Sequence, residues 1–189
     1  GLTDNANRIN DAASVNLRGG VLNYIGRAQM ATSETFGDLN LVQAGSTINA
    51  QHGNVGISSS LLTFASLNRT AGSGATINFG NFINSAGVGT LGAIGSNPNI
   101  LFTAAPTLTN GIIGPWAIAN YGHYASYNSE LGIGEMGQAG FPAYATTLAP
   151  GNITNLTATT NLTGANNVTG ALRLGAAATQ DVTFSVATN

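Results

Sequence analysis

The chain has 189 residues, of which 6% are charged, and its formal net charge is −2 at pH 7. Typical domains carry about 25% charged residues, so solubility must come from Asn, Thr, Ser and backbone groups. Five scattered arginines and no lysine form no basic patch for nucleic acid or an anionic membrane surface. The absence of cysteine excludes disulfides and thiolate metal sites, and no apolar run approaches the roughly 20 residues of a membrane-spanning helix.

Short alternating runs indicate β-strands rather than helices. Gly, Asn, Thr and Ser occur throughout the chain, and they weaken helix interiors. Alternation with a period of two directs one set of side chains to a buried face. In chain order, the alternating positions are Val15 and Leu17, Leu22 and Tyr24, Leu39 and Leu41, Ile77 and Phe79, Leu172 and Leu174, and Val182, Phe184 and Val186.

The spacing of these runs predicts an all-β solenoid with regular coils over residues 1–79. A repeat of about 22 residues lies in the solenoid range, and we expect each repeating set to form one buried column. The two sets are Leu17, Leu39 and Leu62, and Leu22, Ile48 and Ile77. The alternative is an antiparallel β-sandwich, which also produces short alternating strands.

Residues 80–150 are richer in glycine and contain most of the aromatic residues. We interpret this region as longer loops or a lateral sheet on the same solenoid, and we expect coils to return over residues 151–189. The sequence Val182–Val186 is strand-like and has no polar cap, so it is expected to stack on a further coil or a second copy. Gly1 is interpreted as the start of a mature chain or an excised segment.

The aromatic residues of the middle region are the candidates for contact with glycans or a protein partner. They are Trp116, Tyr121, Tyr124 and Tyr127. In a regular strand, Tyr121 and Tyr127 would share one face and Tyr124 would point to the other. The alternative is that these rings pack the sheet and cover an edge.

No catalytic or metal-binding pattern emerges from the sequence. His52 and His123 do not lie in a zinc-binding spacing. Glu130 and Glu135 supply the two carboxylates that a glycosidase needs, but the sequence around them is glycine-rich and indicates a loop rather than a rigid site. The acids are otherwise dispersed. We therefore expect neither enzymatic activity nor a cofactor.

Four segments follow one another in a fixed order, and the order is more specific than any one of them. They are Asn7–Tyr24, which opens Asn-Arg-x-x-Asp, Ser33–Leu41, Leu61–Thr70 with Ala75–Phe79, and Asn110–Ile118. This succession resembles the autotransporter-associated β-strand repeat family of large bacterial surface and secreted proteins. The resemblance implies a right-handed parallel β-helix, export from the cell, a role in surface structure or adhesion, and no catalytic residues.

Polar residues within the repeats also lead to expectations. Gly19 and Gly20 suit a corner with positive φ. Asp11 and Glu34 are expected to accept turn N–H groups or to pair with an arginine, rather than to bind a cation. The Asn-x-Thr triplets that begin at Asn155, Asn161 and Asn167 predict either ladders between coils or successive sides of one coil, with corners at Thr160, Gly164 or Asn166. The same triplets match the acceptor pattern for N-glycosylation, which a composition rich in Asn and Thr produces by chance.

The sequence thus predicts a structural segment of an extracellular or cell-surface fibre, sheath or layer that associates with itself or with further coils. An adhesin segment that binds glycans or host surfaces is the alternative. A polysaccharide-degrading enzyme is the least favoured class.

Overall fold

The computed structural model describes residues 8–53, 59–80, 90–94, 98–158, 160–163, 168–175 and 182–185. These residues form sixteen β-strands and no helix, so no helix in this part of the chain could cross a membrane. The fold is all-β, as predicted. The strands are β1 (Val15–Leu17), β2 (Gly20–Ile25), β3 (Ala31–Phe36), β4 (Leu39–Leu41), β5 (Gly45–Gln51), β6 (Ser59–Phe64), β7 (Leu67–Arg69), β8 (Thr76–Gly80), β9 (Pro98–Phe102), β10 (Ala117–Ala119), β11 (His123–Asn128), β12 (Gly132–Glu135), β13 (Ile153–Leu156), β14 (Thr160–Thr163), β15 (Ala171–Leu174) and β16 (Val182–Ser185).

The chain divides into two compact units, Gly1–Pro142 and Ala143–Asn189. This boundary precedes residue 151, where the sequence predicted the return of regular coils. Unit 1 contains β1 to β12 and unit 2 contains β13 to β16.

In unit 1 the chain enters three separate sheets in the same order three times. The strands β1, β4 and β7 form one sheet, β3, β6 and β9 form another, and β2, β5 and β8 belong to a six-stranded sheet. Every pair among these nine strands is parallel. The antiparallel sandwich is therefore wrong for this part of the chain.

The register places like residues beside each other. Phe36 pairs with Phe64, and Phe64 pairs with Phe102. Their rings stack with centroids 5.6 and 5.8 Å apart. All three side chains are buried, and burial of a Phe side chain contributes about 1.5–3 kcal/mol. The three rings form a continuous aromatic column through the interior of unit 1.

The columns differ from those predicted. Leu39 pairs with Val15, while Leu62 lies in another sheet, where it pairs with Glu34. The set of Leu17, Leu39 and Leu62 is therefore not one column. The three strands of one repeat belong to three different sheets. Residues at a constant spacing in the sequence can therefore lie in different sheets.

The second predicted set is partly correct. Leu22 pairs with Ile48 as expected, but Ile48 pairs with Phe79, and Ile77 pairs with Ser46. The loop before β8 shifts the register by two residues. Because side chains alternate along a strand, Ile77 still points to the core and is 1% exposed.

An asparagine ladder runs along the outside of the β1–β4–β7 sheet. The Asn40 side-chain amide donates to the Asn16 oxygen over 3.1 Å, and the Asn68 amide donates to the Asn40 oxygen, also over 3.1 Å. These partners lie 24 and 28 residues apart. The corner at the start of β2 has the predicted geometry, with φ of 91° at Gly19 and 142° at Gly20.

Antiparallel pairing replaces parallel pairing at β11. The strand β10 pairs parallel to β8, then β11 pairs antiparallel to β10 and β12 antiparallel to β11. The six-stranded sheet consequently has the order β12-β11-β10-β8-β5-β2. Within residues 80–150, β9 and β10 continue the parallel sheets, and the β11–β12 hairpin extends the six-stranded sheet with antiparallel strands.

The β11–β12 hairpin lies against the last parallel strand of the aromatic column. The Tyr127 ring meets the Phe102 ring at a centroid distance of 6.0 Å. Its hydroxyl accepts the Phe102 N–H over 3.1 Å and donates to the Phe102 carbonyl over 3.0 Å. The Asn99 amide donates to the Leu131 carbonyl over 2.8 Å. Tyr127 therefore ends the column with both apolar and polar contacts.

Unit 2 contains two parallel strand pairs, β13–β15 and β14–β16. Asn155 and Asn161 lie in strands of different sheets, as expected for successive sides of a coil. The partner of Asn155 in β15 is Arg173, which donates to the Asn155 oxygen over 3.0 Å, and not another asparagine. Thr160 begins β14 and is not a corner. Gly164, Asn166, Asn167 and the end of the Val182–Val186 run lie outside the described residues.

Candidate binding surface

The neighbouring strands β2, β5, β8 and β10 of the six-stranded sheet share one outward face, which we call the outer face. Its side chains alternate with buried residues such as Tyr24, Ile48 and Phe79. None of its residues carries a charge, and most of its side chains are amides, hydroxyls or aliphatic groups. The outer face consists of Val21, Asn23, Ile25, Thr47, Asn49, Gln51, Thr76, Asn78, Gly80 and Ile118.

A strained turn places Tyr121 on this face. Asn120 and Tyr121 both have positive φ, 47° and 64°, as the two central residues of a type I′ turn require, and they lie in a three-residue loop because Ala119 pairs with His123. The Gly122 N–H closes the turn on the Ala119 carbonyl over 3.3 Å. Glycine is the usual residue where Tyr121 stands, and a left-handed conformation costs a side-chain-bearing residue roughly 1–2 kcal/mol. Contacts of the tyrosine itself must offset that strain.

Tyr121 makes those contacts across the outer face. Its backbone N–H donates to the Asn78 oxygen over 3.0 Å, and its hydroxyl donates to the Asn49 oxygen over 2.7 Å. Asn49 in turn donates to the Asn23 oxygen over 3.0 Å. The ring edge lies above Gly80, where a Cβ would come within 2.9 Å of it. Tyr121 nevertheless remains 43% exposed.

Trp116 lines a groove on the same face. The groove has a volume of about 380 Å³, and its walls include Thr47, Thr76, Asn78 and Ile118. The indole packs closely against Gly114, where a Cβ would lie 2.4 Å from the indole nitrogen. The Arg69 guanidinium lies 5.3 Å from the ring centroid and donates to the Ala75 carbonyl over 2.7 Å. Trp116 itself is half-buried.

Asn78 is the least satisfied polar residue of the groove. It is only 7% exposed, and its side-chain nitrogen makes no hydrogen bond within the part of the chain that the structure describes. Leaving a buried donor unpaired costs about 1–3 kcal/mol. The same nitrogen lies beside the Tyr121 ring, since both flank the point above Gly80 where a Cβ would stand.

The other two aromatic candidates do not line this groove. Tyr124 pairs with Ile118 in the sheet and is half-buried. Tyr127 is 9% exposed and belongs to the interior column. Tyr121 and Tyr127 were expected to share a strand face, which is wrong: β11 begins at His123, so Tyr121 lies in the turn and reaches the outer face while Tyr127 points inward.

The acidic residues form local contacts. Glu135 accepts a hydrogen bond from the Asn120 amide over 2.6 Å and lies 3.2 Å from the His123 ring nitrogen. Glu130 lies at the tip of the β11–β12 hairpin, while Glu135 pairs with Ala125 at its other end. At about 3.4 Å per residue, the two carboxylates do not face a common point. The geometry gives no support to a glycosidase pair, which the glycine-rich sequence around these residues already disfavoured.

Glu34 is a buried residue of β3, and an arginine forms an ion pair with it. Its side chain is 3% exposed, in line with Leu62 and Ile100. Arg8 pairs with it over 2.8 Å, and the Ile9 N–H donates to it over 3.3 Å. These contacts match the expected role of Glu34. Asp11 is exposed, and no cluster of three metal-ligating side chains occurs among the described residues.

The chain was compared with protein-family models, with curated proteins and with solved structures, and none of the three comparisons found a match.

Sequence reasoning identified Trp116 and Tyr121 but missed the polar residues between them. Thr47, Thr76 and Asn78 come from β5 and β8, and only the parallel register brings them beside β10. The Asn-Tyr turn was also missed, because tyrosine is an uncommon residue at positive φ.

Proposed function

We propose that the chain is a β-solenoid segment with a structural role in an extracellular or cell-surface assembly. The observation that carries this proposal is the threefold recurrence of strands in the same three sheets, with like residues in register. Such stacking lets each repeat bury a face that it could not bury alone. The right-handed β-helix and the export of the chain are part of the proposal and derive from the repeat-family resemblance.

The interior and the surface both favour a scaffold. The aromatic column and the Asn16–Asn40–Asn68 ladder hold consecutive repeats together by identical contacts. Contacts that recur from one repeat to the next stabilise an extended stack of repeats rather than a single binding pocket. Fibres and layers are built from such extended stacks, whereas catalysis does not require them.

Self-association would use the edge formed by β1, β2 and β3. Each of these strands pairs on one side only among the described residues. Unpaired strand edges are templates for pairing with another chain. The Arg8 side chain contacts the Ser33 carbonyl on this edge over 3.3 Å, while Asn16 stands at the open end of the asparagine ladder.

Electron microscopy and sedimentation velocity of the purified chain test the proposal. We expect elongated particles that associate into filaments or sheets. Asn16→Lys should reduce association because it places a charge on the edge strand. Asn40→Lys makes the same change on β4, which is paired on both sides, and should reduce association less. Dispersed monomers at all concentrations would contradict the proposal.

A second candidate function is adhesion through glycan binding. The specific observation that favours it is Tyr121, an exposed aromatic ring held by a strained turn over an uncharged, amide-rich face. Strained residues concentrate at functional sites. A glycan-array screen of the intact chain tests this function, and the absence of binding to any glycan would contradict it.

A further inference from the structure

We propose that the groove beside Trp116, extended along β8 to Tyr121, binds a neutral oligosaccharide. The inference deepens the adhesion function and rests on it. It assigns a location to the binding site and a chemical class to the ligand.

The two aromatic residues flank a short polar stretch of one strand. The register of β10 against β8 sets Trp116 beside Thr76, and Tyr121 lies above Gly80. Four residues of a parallel strand separate these positions, or about 13 Å. Asn78 lies midway. An aromatic plane at each end with an amide between them suits a ligand of a few sugar rings, because sugars present apolar faces and hydroxyl edges together.

The size and lining of the groove agree with such a ligand. A volume of about 380 Å³ lies within the range of small-molecule sites. Thr47 and Thr76 supply hydroxyl groups, and Ile118 supplies an apolar wall. Binding sites of this kind combine apolar area with a few placed polar groups.

The charge of the outer face selects the ligand class. None of the outward residues of β2, β5, β8 and β10 is ionised. Arg69, the nearby cation, lies against the Trp116 ring and donates to the Ala75 carbonyl. An acidic sugar chain would lose its hydration without gaining a counter-charge from any residue that lines the groove, whereas a neutral chain has no ionised group to desolvate.

Asn78 provides an independent indication of a ligand. Its side-chain nitrogen is buried and unpaired within the described part of the chain, on a residue that lines the groove. The Tyr121 ring lies beside it. A sugar hydroxyl that accepts a hydrogen bond there, as the ring shifts, would satisfy the donor.

The test uses the intact chain and its single tryptophan, since Trp116 fluorescence reports directly on the groove. Cellohexaose, xylohexaose and mannohexaose serve as neutral probes, and hexagalacturonic acid serves as the acidic probe. We expect saturable binding of at least one neutral probe, confirmed by calorimetry, and weaker binding of the acidic probe.

Two variants locate the site. Tyr121→Gly removes the ring but keeps a residue that favours the left-handed turn, so folding should survive. Thr76→Arg fills the groove at an exposed position. Each should weaken binding about tenfold or more. Val21→Arg is the matched control, because Val21 is 63% exposed on the same face but outside the groove, and it should leave binding unchanged.

The remaining outcomes distinguish an error in the groove assignment from an error in the proposed adhesion function. If a neutral probe binds the two groove variants as tightly as the parent chain, the groove assignment is wrong while adhesion stands. If the acidic probe binds more tightly than every neutral probe, the assigned ligand class is wrong. If neither these probes nor any glycan on the array binds, the groove and the adhesion function both fail.

Discussion

The parallel strands β1 to β9 and the antiparallel β11–β12 hairpin treat the stack of strands differently. In the parallel region, Phe stacks on Phe and Asn bonds to Asn, so each repeat contacts the next through the same residue types. At the hairpin, a tyrosine, Tyr127, takes the place of phenylalanine, and its hydroxyl forms hydrogen bonds with the Phe102 backbone. The difference shows that repetition extends a stack, whereas a change of residue and of strand direction ends it.

Breaking the aromatic column should have the largest effect on this comparison. Phe64→Ala removes the central ring, fully buried between Phe36 and Phe102, and should lower the free energy of unfolding of unit 1 by about 3–5 kcal/mol. Urea unfolding followed by Trp116 fluorescence measures this loss. Ile25→Ala, at a position 59% exposed, should change stability by less than about 0.5 kcal/mol. Equal effects would show that the column does not hold the repeats together.

Removing the polar end of the column should have a smaller effect. Tyr127→Phe keeps the ring but leaves the buried Phe102 N–H without its partner, which should cost about 1–3 kcal/mol. Hydrogen exchange locates the loss: the Phe102 amide should exchange faster, while the Phe64 amide changes only as much as global stability does. Unchanged exchange at Phe102 would mean that the hydroxyl does not end the column as described.

The asparagine ladder should contribute least. Asn40→Ala removes two hydrogen bonds on a partly exposed surface and should lower stability by about 0.5–1.5 kcal/mol. Asn16→Ala removes only the single bond at the end of the ladder, so its effect should be about half as large. Thermal unfolding of both variants measures the ratio, and a larger effect at Asn16 would contradict the ladder.

The strands themselves could be predicted from the sequence, because alternation is a local property. Val15 with Leu17, Leu22 with Tyr24, and Ile77 with Phe79 all lie in strands that direct these residues inward. The partners could not be predicted. Loops of different length separate the strands, so the spacing that links Leu39 to Leu62 steps into another sheet.

The candidate site was predictable only in part, for the same physical reason. Trp116 and Tyr121 were visible as aromatic residues, but Asn78 and Thr47 join them through pairing between distant strands. Glu34 illustrates the limit differently: it occupies an inward position of β3 that alternation would assign to an apolar residue. Its contacts with the Arg8 guanidinium and the Ile9 N–H, both about 25 residues away in the chain, account for a buried carboxylate there.

Disulfide trapping tests the register most directly, because the chain has no cysteine of its own. Thr35 and Thr63 are direct partners in β3 and β6, whereas Leu61 lies two residues out of register with Thr35. Direct neighbours lie about 4.8 Å apart, within disulfide reach, and the offset pair lies beyond about 7 Å. Under mild oxidation, Thr35→Cys with Thr63→Cys should crosslink, and Thr35→Cys with Leu61→Cys should not. Crosslinking of the offset pair in preference to the direct pair would contradict parallel, in-register stacking.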